Sequence, residues 1–225
     1  MTATTNEQTL SARLRAVSFG GAHSEGAEEA AEPGRYYELF LRGGLNGEQV
    51  AAQVVQHLQM YRPLEEAARH HDAEGRFPFR FPELDRVPAL ERDLEFWLGP
   101  SWNEQVIATP RIAAYVDRLN EVIFDSVPLF VAHQYTRYLG DLSGGQSIGK
   151  RFRKAYELTD WRGAEFYRFE QIDDPRAFKD RYRAALDSYG FTADEIALME
   201  DEVRTAYRLN NRAALDLEEL LGEAP

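Results

Sequence analysis

Residues Tyr135–Gln146 read YTRYLGDLSGGQ and place three glycines inside a segment, about 127–156, that otherwise has the pattern of one long helix. Gly140, Gly144 and Gly145 each cost roughly 1 kcal/mol relative to alanine in a helix interior, and Asp141 and Ser143 are also poor helix formers. Gly140 and Gly144 stand four residues apart, so they share one face and strip it of side chains. Two arrangements use such a face: a close crossing of two helices, or a flat ligand laid against the backbone itself. Asp141 beside the bare face favours the ligand, because a carboxylate there can hold water by accepting its hydrogen bonds.

Outward from this stretch, helical periodicity dominates. Leu10, Leu14 and Val17 recur at i, i+4 and i+7 behind Thr9 as a cap, which predicts a helix from about residue 10. A second is expected over 36–41, closed by Gly43 and Gly44. A third follows the Asn46 cap and carries Val50, Val54, Leu58 and Tyr61 on one face, with Pro63 expected to kink or shift it. Others are expected at about 89–98, 109–124, 174–189 and 193–221, the last opened by a capping box from Thr192. The stretch 75–88, rich in proline and phenylalanine, reads as an ordered loop, and one short strand is expected near Phe166–Phe169. There is no internal repeat. The expected fold class is all-α, in a single domain over 1–225, with residues 1–8 disordered and 222–225 a tail.

Composition narrows the chemistry. The 225 residues carry 38 acidic against 26 basic side chains, and a net charge of −12 speaks against general nucleic-acid binding. The absence of cysteine excludes disulfides, thiolate catalysis, Fe–S ligation and cysteine-based zinc sites, leaving histidine and carboxylate as metal ligands. No window approaches 18 apolar residues and the N-terminus lacks an apolar leader, so a cytoplasmic protein away from the membrane is expected.

The stretch HQYTRYLGDLSGGQ, His133–Gln146, is similar almost letter for letter to the distal-helix signature of the haem oxygenase family. The resemblance extends through FRFPELDRVPALE (79–91), DLEFWLGPSWNEQVI (93–107), TPRIAAYVDRLNEV (109–122), FKDRYRAALDS (178–188) and RTAYRLNNRAALDLEELL (204–221), about two thirds of the chain. It implies the all-α fold of the soluble, biliverdin-producing type, with haem between a proximal and a distal helix. Haem is then both cofactor and substrate, cleaved to biliverdin, CO and ferrous iron with O2 and external electrons.

Carried over residue by residue, the resemblance makes Asp141 the catalytic group that orders distal water and organises proton delivery without touching iron. Arg137 and Tyr61 would extend that network. Gly140 and Gly144 would lie against the haem face, and Tyr135, Ser143 and Tyr207 would flank it. Lys179 and Arg183 match the family's propionate-binding cations, and Arg15 would act likewise from the first helix. The pair Lys179 and Arg183, four apart beside Phe178 and Tyr182, suits two carboxylates at the edge of an apolar stripe. His133 matches a position that is not an axial ligand, and reads as a helix histidine satisfied by its neighbours.

The proximal ligand is less direct. Counting forward from Leu10, Leu14, Arg15 and Ser18 brings the family's histidine position to Ala22, with His23 next; counting back from Tyr36 through Ala31 and Glu32 brings it to Glu28. The counts disagree, so the segment holds an insertion. His23 is the only histidine before residue 57, and a π-bulge near Gly20 and Gly21 would return it to the right face as the iron ligand. Glu28 or Glu32 would then bond its other ring nitrogen. His57, His70 and His71 have no motif behind them; His70 and His71 read as a surface pair at a helix end. The chain has no flavin or nicotinamide motif, so electrons are expected from a separate ferredoxin or NAD(P)H-dependent reductase, and the protein is expected to be a monomer. The alternative is a haem carrier or sensor on the same scaffold, without turnover.

Overall fold

Capping chemistry sets the helix boundaries in the computed structural model, which describes residues 8–18, 34–76, 80–106 and 108–222. Thr9 accepts the Ala12 N–H at 3.3 Å to open α1 (Leu10–Val17). α2 (Arg35–Arg42) starts with the Tyr36 N–H on the Glu218 carboxylate at 2.9 Å and ends at Gly43, whose φ of 75° glycine adopts without steric cost. Reciprocal Asn46–Gln49 bonds open α3 (Gly47–Ala73). Then come α4 (Val87–Leu98), α5 (Pro110–Val122), α6 (Val127–Gln134), α7 (Gln146–Ala155), α8 (Pro175–Ser188) and α9 (Ala193–Leu220). Proline sits in the first turn of α4, α5, α6 and α8, where its missing N–H costs no hydrogen bond. The Thr192–Glu195 box opens α9 as expected.

Buried carboxylates from one helix meet the N-terminus of another. Glu65 on α3 accepts the N–H groups of Arg86 and Val87 at the start of α4, and Asp216 on α9 accepts those of Arg111 and Ile112 at the start of α5. α3 packs on α4 and α5, α9 on α5 and α6, and α1 on α8 and α9. Between them lie the fully buried rings of Tyr61, Tyr115, Tyr182, Phe40, Phe130 and Phe152.

α3 runs through Pro63 to Ala73. Two expectations change. Residues 166–169 form no strand; Glu165–Tyr167 is a 3₁₀ turn, because the Asp93 carboxylate takes the Glu165 and Phe166 N–H groups at 2.8 Å each, donors a ladder would need. His71 is fully buried, its Nε2 2.6 Å from the Ile123 carbonyl and its ring beside Phe130, so only His70 is at the surface, within reach of Glu74.

The glycine-rich stretch is helical throughout, but not uniformly α. Between α6 and α7 the turns Tyr135–Leu139 and Asp141–Gly145 are π-helical. Such widened turns are frequent at functional sites. They leave Leu139, Leu142 and Gly145 buried and turn Gly140, Ser143 and Gly144 outward.

Candidate functional site

The outward face of the π-helical turns lines a cavity of about 800 Å³, shared with α3, α9 and the Phe166–Tyr167 turn. A Cβ built on Gly140 or Gly144 meets no atom of the described residues within 4 Å, whereas one built on Gly149, a true close crossing, would lie 2.5 Å from the Tyr167 side chain. Among the described residues the bare face is therefore open space, and no described helix crosses it. Met60, Ile148 and Phe166 supply apolar wall, and the volume lies at the upper end of what small-molecule and cofactor sites span.

One carboxylate is fixed on that face. Asp141 lines the cavity and accepts a short hydrogen bond from the hydroxyl of Tyr61, which is fully buried on α3 and wedged edge-on between Tyr138 and Phe166. Burial pushes the Tyr61 phenol well above its ordinary range and the Asp141 charge adds to that, so Tyr61 is the donor. Burial also raises the Asp141 carboxyl, against the pull of Arg137, the Tyr61 bond and Arg86. Arg137 lies with its guanidinium 5.5 Å from the Tyr61 ring centre and donates to Asn210 Oδ1 on α9 at 2.5 Å. Its Nε–H is buried without an acceptor among the described residues. The result is an anion, a phenol and a cation interlocked, with one face of the carboxylate left toward the cavity.

Cations gather at one edge. Lys179 on α8 donates to Ser143 at 3.2 Å, which ties it to the rim of the glycine face. Partial burial lowers its ammonium, and the nearby charges of Arg183 and Arg15 lower it further. The same two arginines oppose the burial that raises the Tyr135 phenol. Arg183 also bonds Asp180 at 3.2 Å, while its Nε is buried without a partner among the described residues. Three positive side chains from α1 and α8 thus stand within electrostatic reach of one another, with Asp180 the acidic group that partly offsets them.

Of the residues singled out from sequence, Arg137, Gly140, Asp141, Ser143, Gly144 and Tyr207 line the cavity itself. Tyr61 stands behind Asp141, and Arg15, Tyr135, Lys179 and Arg183 form the charged edge. His23, Glu28, Glu32 and the expected bulge at Gly20 and Gly21 lie outside the described residues. His133 is fully buried, with Nε2 2.8 Å from Glu202 and Nδ1 3.3 Å from the Tyr115 hydroxyl, a satisfied core histidine as expected. Sequence reasoning missed Asn210, which anchors Arg137, and Gln53 and His57, which line the cavity from α3. Asn210 was visible only as a polar residue in an amphipathic helix, and no spacing singled out the other two.

The family model described as "Heme oxygenase" matches residues 8–216, nearly the whole chain. The chain belongs to the heme oxygenase family. It is 36% identical to heme oxygenase of Rhodella violacea over 193 residues, 85% of this chain and 82% of that protein. It is 37% identical to heme oxygenase 2 of Synechocystis sp. over 198 residues, covering 86% and 79%. The crystal structure of heme oxygenase-2 from Synechocystis sp. in complex with heme and NO superposes with a TM-score of 0.84 at 34% identity, covering 95% of this chain and 87% of that one. As a heme oxygenase family member the chain keeps the all-α architecture expected from its sequence, and no helix among the described residues is long and apolar enough to cross a membrane.

Proposed function

We propose that this heme oxygenase family member binds haem against the Gly140–Gly144 face and cleaves it to biliverdin, CO and ferrous iron, using O2 and electrons from a separate donor. The observation that carries the reading is the conjunction at one face: glycines whose added Cβ would meet no atom of the described residues within 4 Å, beside a carboxylate pinned by a buried tyrosine. The residues present suit haem. A flat apolar body fits beside bare backbone and apolar wall, and two propionates suit the cationic edge of Lys179, Arg183 and Arg15. His23 is proposed as the residue that would hold the haem iron, and Tyr135, Ser143 and Tyr207 as side chains that would flank the macrocycle.

Haem supplies both the iron that activates O2 and the porphyrin that is cut. The chain's own part is positional and protonic. Gly140 and Gly144 let backbone approach the ligand face, which leaves room on that side for small molecules only. Asp141, with Oδ2 occupied by Tyr61, has Oδ1 as the acceptor that orders water and passes protons toward the cavity. Tyr61 stays protonated and holds that carboxylate in place, while Arg137, tethered by Asn210, opposes the burial that raises it. General acid–base groups placed in this way contribute about 10²–10⁴ in rate.

The same reading has the protein working as a monomer in the cytoplasm beside a ferredoxin or NAD(P)H-dependent reductase. A titration with hemin followed by ascorbate in air tests the function. Saturation at one haem per chain, then Soret loss with biliverdin growing in, is expected. Tight binding without decay would make the protein a carrier or sensor and overturn the enzymatic reading.

A further inference from the structure

The cavity wall contributed by α3 carries two polar side chains whose hydrogen-bonding capacity nothing in the described protein uses. Gln53 and His57 are i, i+4 and both line the cavity. Gln53 Oε1 is shut off from bulk solvent and accepts no hydrogen bond among the described residues. His57 makes ring contacts only, 4.6 Å to Phe166 and 6.5 Å to Tyr61 between centres, and has no hydrogen bond among the described residues. Burial holds its imidazole well below the ordinary range and the Arg137 charge lowers it further, so the ring is neutral, with one nitrogen a donor and the other an acceptor. Leaving such groups unpaired in a buried site is unfavourable, which is a physical reason to expect a ligand.

Behind the pair lies a second, narrow space of about 10 Å³, bounded by Gln53, His57, Asp93, Gly163 and Phe166 among others. That is room for about one water, and a buried water needs two to four polar partners. Gln53 Oε1, the His57 ring and the Asp93 carboxylate supply three. Each Asp93 oxygen already accepts one backbone N–H at 2.8 Å and keeps a further lone pair.

We propose that Gln53 and His57 form a second polar subsite of the haem cavity, separate from Asp141, that binds ordered water, and that His57 is thereby a positioning residue for small molecules on the distal side. One water occupies the narrow space and is shared with Asp93. Another, on the cavity side, takes the remaining His57 nitrogen and donates toward whatever small ligand the haem carries. The haem-facing half of this inference rests on the function proposed above; the water shared with Asp93 does not.

The test uses His57→Leu, Gln53→Leu and the double variant, each replacing a polar group by an apolar one of similar reach, with thermal melts to establish that they fold. In the haem-free protein, water magnetic relaxation dispersion should lose one long-lived water in the double variant; an unchanged profile overturns the site shared with Asp93. With hemin bound, reduced and exposed to CO, the C–O stretching band should move to higher wavenumber in His57→Leu, since a hydrogen-bond donor near the oxygen has been lost. An unmoved band overturns the distal role. A low-spin ferric spectrum in the wild type that His57→Leu abolishes also overturns it, because the imidazole would then sit on iron itself. Failure of the wild type to bind hemin at all would instead sink the function proposed above, and the relaxation measurement would still decide the water shared with Asp93.

Discussion

Tyr61 on α3 donates its hydroxyl hydrogen to Asp141, 80 positions later in the chain, and this bond joins α3 to the π-helical turns between α6 and α7. Removing the hydroxyl in Tyr61→Phe leaves one lobe of a buried carboxylate unsatisfied, a loss of about 1–3 kcal/mol. Hemin affinity should change little, because the ring stays in place. Biliverdin formation in single-turnover assays should slow by at least tenfold; an unchanged rate would show that the carboxylate needs no anchor.

The two glycines make a prediction of opposite sign for folding and for binding. Gly144→Ala adds a Cβ into open space and removes the conformational freedom of glycine from a helix, so the haem-free protein should gain up to about 1 kcal/mol in urea unfolding. A bulkier Gly144→Leu should block the face and raise the Kd for hemin by tenfold or more. Equal hemin affinity in Gly144→Leu and wild type would place the ligand elsewhere.

Much of this was legible in the chain and some was not. The caps at Thr9, Asn46 and Thr192 and the closing Gly43 follow local chemistry, and the structure has them where local chemistry puts them. The Asp141 and glycine motif was readable because it breaks helix propensity at fixed spacing. The π-helical turns were not, since they depend on how the whole segment 127–155 sits against its neighbours. Phe166 escaped for a related reason: its alternation reads as strand, but the Asp93 carboxylate, more than 70 positions earlier, takes the backbone donors. Asn210 and His57 have meaning only through Arg137 and the cavity, which no local pattern encodes.

The cationic edge should reveal itself through salt. Lys179→Ala with Arg183→Ala should weaken hemin binding by roughly 1–3 kcal/mol, as expected for loss of charge-assisted bonds. The wild-type affinity should fall with ionic strength and that of the double variant much less. Parallel salt dependence in the two proteins would remove these residues from propionate binding.

Stability should fall as pH rises through neutrality. Burial pushes Glu65 up to about 7 against its two backbone N–H partners, so the native state binds a proton there that the unfolded chain releases near 4.5. The contribution is fully present below about 4.5 and is lost as pH rises through 7, on the order of 2–3 kcal/mol for this group alone. Glu65→Gln keeps an oxygen for both the Arg86 and Val87 N–H groups, which share Oε1. Urea midpoints at pH 5 and pH 8 should differ less in the variant than in the wild type; an equal or larger difference would contradict the assignment.

Acid acts through a different pair. Burial raises Glu202, but the His133 and Arg118 bonds outweigh it and hold the carboxyl at about 2. Its stabilisation is present above about 4.5 and is lost as pH falls toward 2. Glu202→Gln should therefore flatten the acid limb of the stability curve below pH 4.5 while lowering stability at pH 6, and an unaltered acid limb would show that the pair carries none of it.

The claim on which the rest depends is that the Asp141 carboxylate, and not the cavity alone, directs what happens to bound haem. The most direct test loads wild type and Asp141→Ala with one equivalent of hemin, adds the same reductant in air, and measures biliverdin formed per haem. The account predicts hemin affinities within a few-fold of each other and a biliverdin yield in Asp141→Ala lower by about 10² or more. Equal yields from the two proteins would contradict it.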